Sequence, residues 1–186
     1  MIIWIASYPK SGNTYLRSFL ASYYFSLDGK FSFDQLLNIH QFPNMKFSKL
    51  RSTNKEEASK NWIFNQNSFF KNLDLNLVKT HNCLYPFKRN EFTTENETLG
   101  AIYIVRDPRN VITSLTHHYD LSYEEAYTHM IDENSSLLET SFELDHSNFT
   151  YLSSWSNHYQ SWKNNKKFKT LFIKYEDIEK NKENVF

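Results

Sequence analysis

A lysine, two hydroxyl residues and a glycine crowd into one short stretch, Pro9-Lys10-Ser11-Gly12-Asn13-Thr14. An apolar run, Ile2 to Ala6, precedes it and reads as a short buried strand. Tyr15, Leu16, Phe19, Leu20 and Tyr23 follow at helical spacing. A turn that opens a helix aims free backbone N–H groups and the positive end of a helix dipole at one spot. Lys10 adds a full charge there, and Ser11 and Thr14 add hydroxyl donors. That chemistry suits a phosphate or a sulfate. The plainer alternative is a strand-to-helix turn with a capping Ser or Asn. The stretch is not the nucleotide loop that ends in Gly-Lys-Ser/Thr, because that tripeptide occurs nowhere in the chain.

Three further groups could do chemistry. In Ala101-Ile-Tyr-Ile-Val-Arg-Asp-Pro-Arg-Asn-Val-Ile-Thr-Ser114 a buried strand delivers Arg106 to its carboxyl end. Arg106 is a fork of fixed donors that suits a phosphate, and Ser114 lies two turns along the following helix, able to face back toward it. Asp107 is a candidate N-cap and Pro108 fits the first helical position. Arg106 could instead pair with Asp107 or another carboxylate, while Arg109 is expected on the surface. In Leu77-Val-Lys-Thr-His81 a strand ends in Lys79 and His81. His81 is either a structural histidine or a general base acting near neutral pH. In Thr170-Leu-Phe-Ile-Lys-Tyr-Glu-Asp177 a strand ends in Tyr175, which could pack on a flat ring or belong to the core. Glu176 and Asp177 could cap the next helix.

The elements that must position these groups alternate. Strands are expected at 2–6, 75–80, 101–106 and 170–175, and helices at 13–25, 108–119, 122–133, 148–165 and 177–185. Residues 28–72 lack a clean period and are expected to form helices and loops over the site, and 82–98 a loop. Short strands, apolar on both faces and separated by helices, argue an α/β fold: a parallel sheet flanked by helices on both faces. Ligands bind such sheets at the carboxyl ends of the strands, where all four groups fall.

The chain of 186 residues is expected to be a single domain, 1–186. Its 21 basic and 21 acidic residues cancel, which gives no global case for nucleic acid or membrane binding. One cysteine, Cys83, excludes an internal disulfide framework. His117, His118 and His129 are badly spaced for a metal, so none is expected. Lys163, Lys166, Lys167 and Lys169 read as a solvated helix end. No signal-peptide pattern and no membrane-length apolar window occurs, so a cytoplasmic location is expected. Asn184-Val185-Phe186 ends in what reads as a helix without a cap, so a C-terminally incomplete domain is also expected.

The four groups, in this order, resemble the sulfotransferase family that uses 3′-phosphoadenosine 5′-phosphosulfate (PAPS). That family carries Tyr-Pro-Lys-Ser-Gly-Thr-Thr-Trp after its first strand, against Tyr8-Pro-Lys-Ser-Gly-Asn-Thr-Tyr15 here. It carries Arg-Asp-Pro-Arg-Asn with a serine eight residues after the first arginine, against Arg106 to Ser114. It carries Lys-Thr-His and Tyr-Glu-Asp, against Lys79-Thr80-His81 and Tyr175-Glu176-Asp177. The resemblance spans residues 2 to 178 and implies a P-loop-containing nucleotide triphosphate hydrolase-like architecture. It implies that Lys10, Ser11, Gly12, Asn13 and Thr14 hold the 5′-phosphosulfate, that Arg106 and Ser114 hold the 3′-phosphate, and that Tyr15 and Tyr175 flank the adenine. It also implies that His81 takes the acceptor proton while Lys10 and Lys79 stabilise charge, with no metal. The acceptor would be a small molecule, carbohydrate or lipid with a hydroxyl or an amine. Asn13 stands where the family has Thr, Tyr15 where it has Trp, and the family's later basic Arg-Lys-Gly loop has no counterpart before Phe186. Two alternatives stand beside this one: a non-catalytic remnant that binds PAPS or its bisphosphate product, and an ATP-dependent phosphotransferase on a related fold.

Overall fold

The structure, a computed structural model, describes residues 1–71, 76–141 and 146–180. At its centre is a parallel five-stranded sheet in the order β2-β3-β1-β4-β7. Its strands are β1 (Ile2–Ser7), β2 (His40–Gln41), β3 (Asn76–Thr80), β4 (Thr98–Val105) and β7 (Lys169–Lys174). β1 lies in the middle, with Ala6 paired to Thr80 of β3 and Ser7 to Ile104 of β4. The carboxyl ends of β1, β3 and β4 are therefore neighbours, and the residues just past them must meet.

Alternation along the strands makes two cores, one on each face. Ile5, Leu77 and Ile104 pack with Leu16 and Ala21 of α1 (Asn13–Phe25). Trp4, Ala6, Val78 and Tyr103 face the other way, toward α2 (Lys55–Lys60), α3 (Trp62–Phe70) and α6 (Trp155–Lys163). Helices thus cover both faces, as a sheet with apolar residues on each side requires. Trp4 is fully buried and its indole donates to Thr98 Oγ1 at 2.9 Å, so the large ring carries no unpaired polar atom. A third cluster joins α4 (Pro108–Tyr119) to α5 (Tyr123–Ile131) through Val111, Leu115, Ala126 and Met130.

Helix starts follow local chemistry. Asp107 accepts from the Arg109 N–H at 2.9 Å and Pro108 occupies the first position of α4. Ser122 and Glu125 form a capping box, so α5 is narrower than the expected 122–133. The expected helix over 148–165 begins only at Trp155, with Ser154 as its cap. Before it lies an antiparallel pair, β5 (Ser136–Ser141) and β6 (His146–Tyr151), with Phe149 opposite Leu138. Phe149-Thr150-Tyr151 is β-branched and aromatic, and Phe149 stacks on Trp62 at 5.6 Å, a partner that a helical period does not anticipate. Tyr175 opens α7 (Tyr175–Lys180) rather than ending β7. Residues 181–185 of the expected last helix, and 72 and 75 of the earlier segments, lie outside the described residues. The segment before residue 72 forms 3-10 turns at Phe33–Asn38 and Met45–Phe47, the short strand β2, and α2 and α3. Among the described residues no helix is long and apolar enough to cross a membrane.

Candidate active site

The turn after β1 is built from two left-handed residues. Lys10 has φ 65 and Gly12 has φ 92. Gly12 tolerates this angle, and a Cβ there would lie 2.2 Å from Cδ2 of the Tyr175 ring. Gly12 caps α1 without a side chain, and the first helical bond runs from the Leu16 N–H to its carbonyl. The N–H groups of Asn13 and Thr14 precede that first helical bond, in the first turn of α1. Asn13 donates both amide hydrogens inward, to the Ile5 carbonyl at 2.9 Å and to Ser7 Oγ at 3.2 Å. Its side-chain amide hydrogens are therefore committed inside the fold. Ser11 Oγ is buried and has no hydrogen-bond partner among the described residues.

Arg106 closes this turn from β4. Its Nη1 donates to the Lys10 carbonyl at 3.0 Å, which explains why Lys10 holds a left-handed angle. Its guanidinium lies 4.6 Å from the centre of the Tyr175 ring. Asp107 is paired with Arg109, which holds its carboxyl at about 2. Arg106 has no carboxylate partner among the described residues, and its buried Nε is unpaired. Glu176 does not cap its own helix; its carboxylate accepts from the Asp107 N–H at 2.9 Å and ties α7 to the end of β4.

Lys79 and His81 arrive from β3. Lys79 donates to Gln41 Oε1 of β2 at 2.9 Å. Burial, with Arg17 and Lys10 nearby, pushes its ammonium down to about 8. His81 Nδ1 lies 2.7 Å from the Ser7 carbonyl oxygen and 3.3 Å from Ser7 Oγ. A carbonyl can only accept, so Nδ1 carries the hydrogen and the lone pair is on Nε2. Burial, then the Lys79 charge, push the imidazolium down to about 3, so the ring is neutral at neutral pH.

These groups share a cleft of about 480 Å³. Lys10, Gly12, Asn13, Thr14, Tyr15, Lys79, His81, Arg106 and Ser114 all line it. Ser11 and Tyr175 do not. The half-buried Tyr175 ring lies against Gly12 and Arg106, and meets Tyr15 at 67° with centroids 6.1 Å apart. Gln41, His118, Tyr119 and Leu137 also line the cleft and were not singled out from sequence. His118 falls one turn after Ser114, so helical spacing was a usable signal for it. Leu137 comes from the hairpin and carried none. A second, mostly apolar cavity of about 240 Å³ adjoins the first and shares Pro9, Tyr119 and Leu137 with it. Among the described residues no group of three or more His, Cys, Asp or Glu is placed to hold a metal ion.

A family model for the sulfotransferase domain matches residues 2–185. The chain belongs to that family. No curated protein matches it. Among solved structures, mouse sulfotransferase SULT7A1, complexed with PAP, superposes with a TM-score of 0.55 at 18% identity, over 97% of this chain and 53% of that one. Retinol dehydratase, in a complex with retinol and PAP, gives 0.55 at 17% identity, over 99% and 57%. At such identities the likeness shows a common fold, the P-loop NTPase-like architecture of sulfotransferases. This sulfotransferase domain spans about half the length of those two proteins.

Proposed function

We propose that the cleft takes PAPS and transfers its sulfuryl group to an acceptor hydroxyl or amine. The observation that carries this reading is the His81 ring: its Nδ1–H is held by Ser7, which leaves Nε2 as an acceptor in a cleft that also presents Lys10, Lys79, Arg106 and Ser114. Cations share the cleft with a neutral imidazole, which is the charge pattern an anionic donor and a neutral acceptor need. The PAP bound to both solved relatives supports the same donor class.

In this reading the backbone N–H groups after Gly12, with Lys10 and Thr14, hold the 5′-phosphosulfate. Arg106, through its guanidinium fork, and Ser114, through its hydroxyl, hold the 3′-phosphate. Ser11 contributes through its backbone, and Tyr15 supplies an adenine face. Tyr175, whose ring lies beside Tyr15, would flank the same adenine. The acceptor oxygen forms a bond to sulfur while the bond from sulfur to the 5′-phosphate oxygen breaks. The acceptor proton passes to His81 Nε2, and adenosine 3′,5′-bisphosphate leaves with the electron pair of the broken bond. Lys10 and Lys79 stabilise the negative charge that grows on that leaving oxygen. Positioning and charge stabilisation carry most of such a transfer, and a base of this kind adds about 10²–10⁴-fold. The adjoining apolar cavity would hold the body of the acceptor.

Incubation of the chain with sulfur-labelled PAPS and a panel of phenols, sugars and lipid alcohols tests this. Labelled ester that appears with the native chain and drops with His81→Ala supports it. Binding of the bisphosphate with no transfer to any acceptor would favour a non-catalytic binding domain.

A further inference from the structure

Helix α6 grips the backbone just past β3. Its His158 and Trp162, one helical turn apart, reach consecutive carbonyls. His158 Nε2 lies 3.0 Å from the His81 oxygen, and Trp162 Nε1 donates to the Asn82 oxygen at 3.1 Å. The His81 oxygen can only accept, so His158 Nε2 carries the hydrogen. His158 Nδ1 is then the acceptor, and the Tyr103 hydroxyl donates to it over 2.8 Å. Tyr103 is fixed in mid-sheet, paired with Ala6 of β1 and Phe172 of β7. Both His158 and Tyr103 are fully buried, and neither lines the cleft. Burial also pushes His158 down to about 4, which keeps it neutral and keeps this donor–acceptor order fixed.

We propose that His158 is a positioning residue for His81, acting through the His81 backbone carbonyl. The relay from Tyr103 through His158 holds the backbone of residue 81 on one side, while Ser7 holds its ring on the other. With both ends fixed, the ring has one tautomer and Nε2 faces the cleft. Packing alone does not call for a histidine here, since a phenyl ring fills similar volume without a polar group to desolvate. The proposal rests on the reading of His81 as the base.

The test is the imidazole ¹⁵N–¹H spectrum of the whole chain, recorded for the native protein and for His158→Phe, His158→Gln, Tyr103→Phe and Trp162→Phe. His158→Phe is expected to speed solvent exchange of the His81 Nδ1 proton by about tenfold or more and to mix the two His81 tautomers. His158→Gln keeps a donor for the same carbonyl and is expected to restore most of the native signal. Trp162→Phe removes the neighbouring donation to Asn82 and is expected to leave His81 unchanged. Tyr103→Phe, the mildest change, is expected to give an intermediate effect and carries the test if His158→Phe does not fold. Native tautomer and exchange at His81 in whichever of His158→Phe and Tyr103→Phe folds would overturn the proposal. So would a Trp162→Phe effect as large as that of His158→Phe. Affinity for adenosine 3′,5′-bisphosphate, measured on the same samples, separates this from the donor reading. A native chain with no preference for the bisphosphate sinks the donor site, while the His81 spectra still decide the role of His158.

Discussion

The Nδ1 of His81 lies 2.7 Å from the carbonyl oxygen of Ser7. Ser7 ends the central strand, and Asn13 at the start of α1 donates to the Ser7 hydroxyl at 3.2 Å. The turn that opens α1 and the His81 ring are thus joined through one residue of β1.

A consequence concerns proton affinity. In the free chain burial and Lys79 hold His81 at about 3. The ring is charged only below that value and neutral above it, so the free chain keeps a neutral imidazole through the weakly acidic range. An NMR titration should place this histidine well below the ordinary 6.5 or so. The dianionic groups of a bound bisphosphate should move it upward, because negative charge favours the imidazolium. A His81 that titrates at its ordinary value in the free chain contradicts the geometry.

Lys79 sets the opposite limit. Its ammonium is pushed down to about 8, so the charge is present below that pH and lost above it. Affinity for the bisphosphate should fall as pH rises through this range, by up to about tenfold per unit for one proton. Lys79→Met should weaken binding at neutral pH and remove that slope. A slope that persists in the variant assigns it to another group.

Arg106→Ala should weaken adenosine 3′,5′-bisphosphate by about 10–150-fold, from about 1.5–3 kcal/mol for lost charged hydrogen bonds. AMP, which lacks the 3′-phosphate, should lose much less. Calorimetry with both ligands checks this, and equal losses remove Arg106 from the 3′-phosphate.

Gly12→Ala should destabilise the fold by about 1–3 kcal/mol, since the new methyl meets a left-handed angle and the Tyr175 ring at once. Tyr175→Ala in the same chain should recover the steric part and leave the backbone part. Urea midpoints of the single and double variants measure both, and a Gly12→Ala chain of native stability would contradict the packing.

Much of the sheet was legible because its strands are short apolar runs that end in polar turns. Ile2 to Ala6 and Leu77 to Thr80 carry their own signals. The hairpin of β5 and β6 was not legible. Phe149 is a strand residue because Trp62, distant in sequence, stacks on it. The four motifs fall at the ends of β1, β3, β4 and β7, although Tyr175 itself opens α7, and most of their residues line one cleft. What they could not supply was direction: Asn13 turns inward, and the Tyr175 ring packs against Gly12 and Arg106 rather than lining the cleft. Gln41 escaped notice because it sits on a two-residue strand whose only mark is its pairing with β3.

The cleft is proposed to take a nucleotide with a 3′-phosphate and a 5′-phosphosulfate. Calorimetric titration of the native chain with adenosine 3′,5′-bisphosphate, beside ADP and AMP, tests it most directly. Clear preference for the bisphosphate over both is expected. Equal binding of the three, or none, would contradict it.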